Sequence, residues 1–322
     1  MPQISIGKYH RLLKCSSPNR TFSILAIDHR TSLMKALSTG NDKSVNSSTL
    51  VEFKKNIVSR VGVEADAILI DPEYGAPHCI ASGNFGTESK LIISIEKSGY
   101  RGPSNLRHSE ILKGWSVKKS ERIGADAVKL LVYYHPKSET SFEIESLVLK
   151  ISKACEELDM PLFLEPLTYS LDINEKKLTG NEKRSLVVEV ARRLSKLGPD
   201  ILKMEFPLDI SCSEDENVWK EACLELSEAC QIPWVLLSAG VDYESYVDQV
   251  RIACECGASG IAVGRAIWKE AVSMTKDERE TFLSKIAKNR MHDLNMLCSE
   301  LAKPWSEVYT PPTIKDDWYA TY

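Results

Sequence analysis

Residues 199–209 read PDILKMEFPLD, and two charges in this short apolar run decide how the chain is read. Side chains alternate between the faces of a strand, so Lys203 and Glu205 project to one side while Leu202, Met204 and Phe206 project to the other. Two opposite charges therefore share one interior face of a segment that otherwise reads as core.

Seven further apolar runs of this type occur: FSILAID (22–28), DAILID (66–71), LIISIE (91–96), DAVKLLVYY (126–134), PLFLEPL (161–167), WVLLSAG (234–240) and SGIAVGR (259–265). Between them lie segments of helical period. In FEIESLVLKISKACEEL (142–158), Ile144, Leu147, Val148, Ile151, Ala154, Cys155 and Leu158 trace one stripe; two more such segments occupy 181–197 and 242–256. Eight alternations without a Gly/Ser-rich linker predict a closed (β/α)8 TIM barrel over residues 21–275, in preference to two domains or an open doubly wound sheet. A Gly-rich loop at 98–107 follows the third run, and 276–302 read as an additional C-terminal helix. From Pro304, with Pro311 and Pro312, an extended tail is expected, making 1–322 a single domain.

The composition is that of an ordinary soluble chain: 322 residues, 43% hydrophobic, 27% charged, formal charge −4. No basic surplus exists to grip a nucleic-acid backbone. MPQISIGKYHRLLKCSS at the start has no apolar h-region and no run is long enough to cross a bilayer, so a cytoplasmic protein without a membrane partner is expected. Nine cysteines, an odd number without a C-x-x-C pair, read as reduced and mostly buried. The six histidines form no H-E-x-x-H or H-x-x-x-H pair, so no metal or other cofactor is announced.

The carboxyl ends of barrel strands carry the chemistry of such folds, and most of these runs deliver a polar residue there. The first gives Asp28, then His29 and Arg30; the second Asp71 and Glu73; the fourth Lys129; the fifth Glu165; the sixth Lys203 and Glu205. The seventh ends in Ser238, Ala239 and Gly240, the eighth in Gly264 and Arg265. A lone lysine in a strand is commonly a snorkelling side chain, and a lone Asp a cap or turn. Lys129, Glu165 and Lys203, however, sit inside apolar runs on three consecutive strands, where isolated charges are costly, and are expected to face one another. An amine attacks a carbonyl only when uncharged, and burial and a second cation both favour that form, so Lys203 is the expected nucleophile. Glu165 is the expected proton donor for loss of water, with Asp28 and Lys129 handling substrate hydroxyls. The plain alternative is a buried ion-pair network, a weak device for stability. Gly240, Gly264 and Arg265, with the helices beyond, suit a phosphate; His29 and Arg30 suit a second anion.

The segments AIDHR, ILIDPEYG, EKSGY, WSVKKSERIGADAVKLLVYY, FLEPLTY, ILKMEFP, WVLLSAGV and GASGIAVGRAIW, with KPWSE near the end, resemble in order and spacing the bacterial class I tagatose 1,6-bisphosphate aldolases. The resemblance implies a barrel that uses no metal and forms a Schiff base between Lys203 and a ketose bisphosphate or dihydroxyacetone phosphate. It implies Glu165 as acid/base, Lys129 and Asp28 as partners, and Ser238 to Gly240 with Arg265 as phosphate site. One departure stands out: the pair after the strand-one aspartate is commonly Gln-Arg in these enzymes and is His29-Arg30 here. The 6-deoxy-6-sulfofructose-1-phosphate aldolases are similar in EP, K-x-E-x-P and GRA-W, although DPEYG is closer to the tagatose enzymes. Rival readings are a metal-dependent enzyme using Asp28, Asp71, Glu73 and Glu165, and a phosphosugar-sensing regulator. A homo-oligomer is expected, with the C-terminal helix and KPW segment as its contact.

Overall fold

A computed structural model of the chain describes residues 2–38, 45–86, 89–174, 178, 180–213, 215–320 and 322. All eight apolar runs form strands: β1 (Phe22–Ile27), β2 (Ala67–Ile70), β3 (Leu91–Ser94), β4 (Ala127–Tyr133), β5 (Leu162–Leu167), β6 (Ile201–Met204), β7 (Trp234–Leu237) and β8 (Gly260–Val263). They pair in parallel in sequence order, and β1 also pairs with β8, so the sheet closes on itself. The fold is a (β/α)8 TIM barrel.

The alternation that opened the sequence reading explains where each face goes. Phe22, Ile24, Ala67, Leu69, Ile92, Ala127, Phe163, Ile201, Val235 and Ala262 fill the lumen. Leu25, Ile27, Ile68, Ile70, Leu202, Met204 and Phe206 pack outward against the helices. Those helices are α1 (Ile6–Cys15), α2 (Thr31–Ser38), α3 (Ser47–Val61), α4 (Ala76–Ala81), α5 (Val117–Arg122) and α6 (Ser141–Glu156), then α7 (Gly180–Leu194), α8 (Glu216–Ala229), α9 (Tyr243–Glu255), α10 (Arg265–Trp268), α11 (Lys276–Phe282) and α12 (Lys288–Leu301). In α6 the stripe buries Ile144, Val148, Ile151 and Cys155, as its period predicts. The C-terminal helix at 276–302 is α11 and α12 joined by a wide π turn over Leu283–Ala287, and it packs beside α9, α3 and β1.

The lower end of the barrel is closed by pieces that the sequence did not announce. Helix α1 lies beneath the strands, where Leu12 and Cys15 meet Trp305 and Tyr309 in the lumen cluster. Lys8 binds both oxygens of Asp200 at 2.9 Å, Arg11 donates to the Ala125 carbonyl at 2.8 Å, and Lys14 pairs with Asp126. The tail is accordingly not simply extended: Trp305 is fully buried, donates to Ser16 Oγ at 3.0 Å and meets Tyr9 edge-on. The aromatic residue of KPW thus floors its own barrel and cannot face another subunit. All nine cysteines are free, and most are buried. Among the described residues no helix is long and apolar enough to cross a membrane.

Candidate active site

At the upper end of the lumen the apolar filling gives way to charge. Lys129 Nζ lies 2.8 Å from Asp28 Oδ2 and 2.9 Å from Glu96 Oε1, and 2.8 Å from Glu165 Oε2. Lys203 Nζ lies 2.9 Å from that same Glu165 oxygen. Consecutive strands thus bring Lys129, Glu165 and Lys203 together, with Asp28 entering from β1 across the lumen. All four are buried, Lys129 to 1% exposure and Lys203 to 4%.

Burial alone would lower the Lys129 ammonium, but Asp28, Glu165 and Glu96 outweigh it and hold its pKa well above the ordinary lysine value. Burial likewise works to raise Asp28 and Glu165, yet Lys129 and then Lys203 prevail and hold both carboxyls below the usual range. Lys129 is therefore a fixed cation, and Asp28 and Glu165 are carboxylates at rest. Lys203 differs, because among the described residues Glu165 Oε2 is the single acceptor it meets. Beside it opens a cavity of about 510 Å³ whose wall includes Asp28, Lys129, Glu165, Lys203, Ser238 and Arg265.

The other strand-end acidic residues have partners of their own. Glu205 lines the cavity with Lys203, as the alternation of faces requires, and its carboxylate accepts from the Thr168 amide and hydroxyl at 2.8 and 2.7 Å. Asp71 is not on the cavity wall; it is paired with the fully buried Lys54 of α3 and accepts from the Glu73 and Tyr74 amides. Glu73 pairs with Arg30 at 2.7 Å. The oxygen set proposed for a metal-dependent enzyme therefore does not converge, because Asp71 and Glu73 are engaged elsewhere. One residue was missed: Glu96, just beyond β3, binds Lys129 and accepts from the Leu131 amide at 3.1 Å. The only signal was that LIISIE, like its neighbours, ends on a polar residue.

The seventh and eighth strands present the expected glycine-rich edge. Ala239 and Gly240 turn with φ of 47° and 86°, a geometry that suits glycine best, and a Cβ at Gly240 would lie 2.9 Å from Arg265 Cζ. The guanidinium thus lies directly over the turn and, among the described residues, meets no carboxylate. The helix following β8, α10, is only four residues long, and α9 is already capped by Asp242. An anion here would be met by the backbone turn and Arg265 rather than by helix ends.

On the β1 side, burial, offset in part by Asp28 and reinforced by Arg265 and Lys203, pushes the His29 imidazole down to about 4. His29 is uncharged at neutral pH, its ring edge-on to Trp268 with centroids 5.1 Å apart. Arg30 is 4% exposed, with one terminal nitrogen on Glu73 and the other on the Glu96 carbonyl.

A family model for the DeoC/LacD family aldolases matches residues 22–270. The chain is 29% identical to tagatose 1,6-diphosphate aldolase 2 of Streptococcus mutans, over 94% of this chain and 98% of that protein. It is 30% identical to the tagatose 1,6-diphosphate aldolase of Listeria monocytogenes, over 96% of each. An archaeal fructose-1,6-bisphosphate aldolase, solved with its catalytic lysine covalently bound to the carbinolamine intermediate, shares the fold at a TM-score of 0.58 and 19% identity, over 91% of this chain and 99% of that one. With a family match across most of its length and near-complete relatives at this identity, the chain belongs to the DeoC/LacD family of aldolases.

Proposed function

We propose that this aldolase is of the Schiff-base-forming class and cleaves a ketohexose 1,6-bisphosphate, tagatose 1,6-bisphosphate and with it fructose 1,6-bisphosphate, to dihydroxyacetone phosphate and glyceraldehyde 3-phosphate. The observation that carries the reading is Lys203, buried at the cavity wall with one acceptor that it shares with a second ammonium. The names of the curated relatives and the covalent lysine of the archaeal enzyme support it.

Transfer of a proton from Lys203 to Glu165 frees the amine, which adds to the C2 carbonyl; its remaining extra proton passes to the former carbonyl oxygen. Glu165 then returns its proton to that hydroxyl, which leaves as water, and a protonated imine remains. The C3–C4 bond breaks with its electron pair flowing into the imine, while the C4 hydroxyl gives its proton to Asp28. The aldehyde departs, the enamine takes a proton at C3, and water releases dihydroxyacetone phosphate from Lys203. Lys129 does not react: it keeps Asp28 and Glu165 ionised and ready to accept protons. The turn at Ser238 to Gly240 and Arg265 would seat the 1-phosphate, fixing the scissile bond over the amine.

Borohydride added in the presence of dihydroxyacetone phosphate, followed by peptide mapping, should place a reduced adduct on Lys203. An active preparation that yields no adduct, or one on another lysine, would refute the proposal.

A further inference from the structure

One buried pair has no part in the mechanism above. The side chains of Lys54 and Asp71 are both 0% exposed. Lys54 lies on the buried stripe of α3, between Leu50 and Val58 at helical spacing, where an ammonium has no water to meet. An ammonium has three donors, and three oxygens surround this one. The first belongs to Asp71. The others are the backbone carbonyls of Ile27 at 2.6 Å and His29 at 2.8 Å, and these two flank Asp28.

That place matters, because Asp28 stands one residue past the sheet. Strands β1 and β2 end together, with Ile27 opposite Ile70, so the ladder fixes the backbone as far as Ile27. One oxygen of the Asp28 carboxylate is on Lys129. The other lies 3.7 Å from His29 Nδ1, beyond hydrogen-bond reach, and is the one open to a proton. A shift of the peptide on either side would carry that oxygen away from the substrate. Asp71 is itself fixed, with Oδ1 accepting from the Glu73 and Tyr74 amides while Oδ2 meets Lys54. The end of β2 thus holds Lys54, and Lys54 holds the segment that carries Asp28.

Resting on the aldolase reading above, we propose that Lys54, braced by Asp71, is a positioning residue for cleavage of the C3–C4 bond. It grips the carbonyls on both sides of Asp28, keeps that carboxylate on the C4 hydroxyl, and takes no part in imine formation. A displacement of about 1 Å in a group that must meet a reacting atom lowers the rate on the order of a hundredfold.

The test separates the two steps. Dihydroxyacetone phosphate has no C4, so its trapping on Lys203 by borohydride does not call on Asp28, whereas cleavage of tagatose 1,6-bisphosphate does. Lys54→Met should lower kcat, counted per Lys203 trapped, about thirtyfold, with KM within about threefold and the trapping rate within about twofold of wild type. Because that substitution leaves Asp71 buried without its cation, Lys54→Met with Asp71→Asn is made beside it; the neutral pair should fold and show the same split. In an Asp28→Asn background, Lys54→Met should lower kcat by less than about twofold further, since its effect passes through the carboxylate. Equal losses of trapping and cleavage, an unchanged kcat, or the whole loss repeated on top of that of Asp28→Asn would overturn the proposal. Failure of the Schiff-base reading would look different, with no adduct on Lys203 in the wild type.

Discussion

Strand β6 holds a buried lysine–carboxylate pair at each of its ends. Below, Lys8 from α1 binds both oxygens of Asp200; Asp200 also accepts from the Leu162 amide, and the Tyr309 hydroxyl donates to its carbonyl. Above, three residues further along, Lys203 has one acceptor among the described residues, shared with Lys129. The carboxyls respond in opposite directions. Burial outweighs Lys8 and raises Asp200, whereas the paired cations outweigh burial and lower Glu165. Lys54, buried in α3, is more fully satisfied than Lys8, with the Ile27 and His29 carbonyls and Asp71 around it. A buried lysine is therefore no sign of chemistry by itself. What marks Lys203 is an unfilled set of hydrogen bonds beside an open cavity.

The comparison breaks most sharply by exchanging the two lysines for methionine. Lys203→Met should cut kcat/KM by at least about a thousandfold and abolish borohydride trapping, since the other buried amine of the cavity, Lys129, is held as a cation by Asp28, Glu165 and Glu96. Its thermal midpoint should change little, because Glu165 keeps Lys129 as a partner. Lys8→Met should do the reverse. It leaves Asp200 buried without its cation, a loss of about 3–5 kcal/mol, read as a lower urea midpoint, while kcat/KM of the folded fraction stays within about twofold of wild type. Equal loss of activity in both variants would show that the two pairs do one job.

The same contrast explains what the sequence could tell. Strand position was legible because each strand is a short apolar run, and the face of each residue because the period is two. Lys129, Glu165 and Lys203 stood out as charges in apolar surroundings. Glu96 did not, because its role exists only once β3 lies beside β4 and the residue beyond the strand folds back over Lys129. Asp71 misled for a related reason: its partner Lys54 comes from an amphipathic helix in which a lysine ordinarily faces water. The pairing of Glu205 with Thr168 depends on the loop after β5. The floor of the barrel joins residues 8, 200 and 309, contacts so distant along the chain that no local pattern carries them.

Acid titration offers the finest division between the two ends. Asp28 and Glu165 have carboxyls held below their ordinary values of 3.8 and 4.5, so the unfolded chain takes up their protons first as pH falls. They contribute stability that is present above about pH 5 and lost below it. Asp200 has the opposite sign: its carboxyl is raised above 3.8, so the folded chain binds that proton first. Its contribution is present in acid and lost as pH rises through its folded value. Urea midpoints measured between about pH 5 and pH 3 should therefore decline in the wild type. They should decline less in the Asp28→Asn, Glu165→Gln double variant and more in Asp200→Asn. The offsets at pH 5 are set by the lost ion pairs and do not bear on the point; the slopes do. Parallel slopes in all three proteins would mean that the upper carboxyls are not held by Lys129 and Lys203 as the distances indicate, and the distinction between the two ends of β6 would fail.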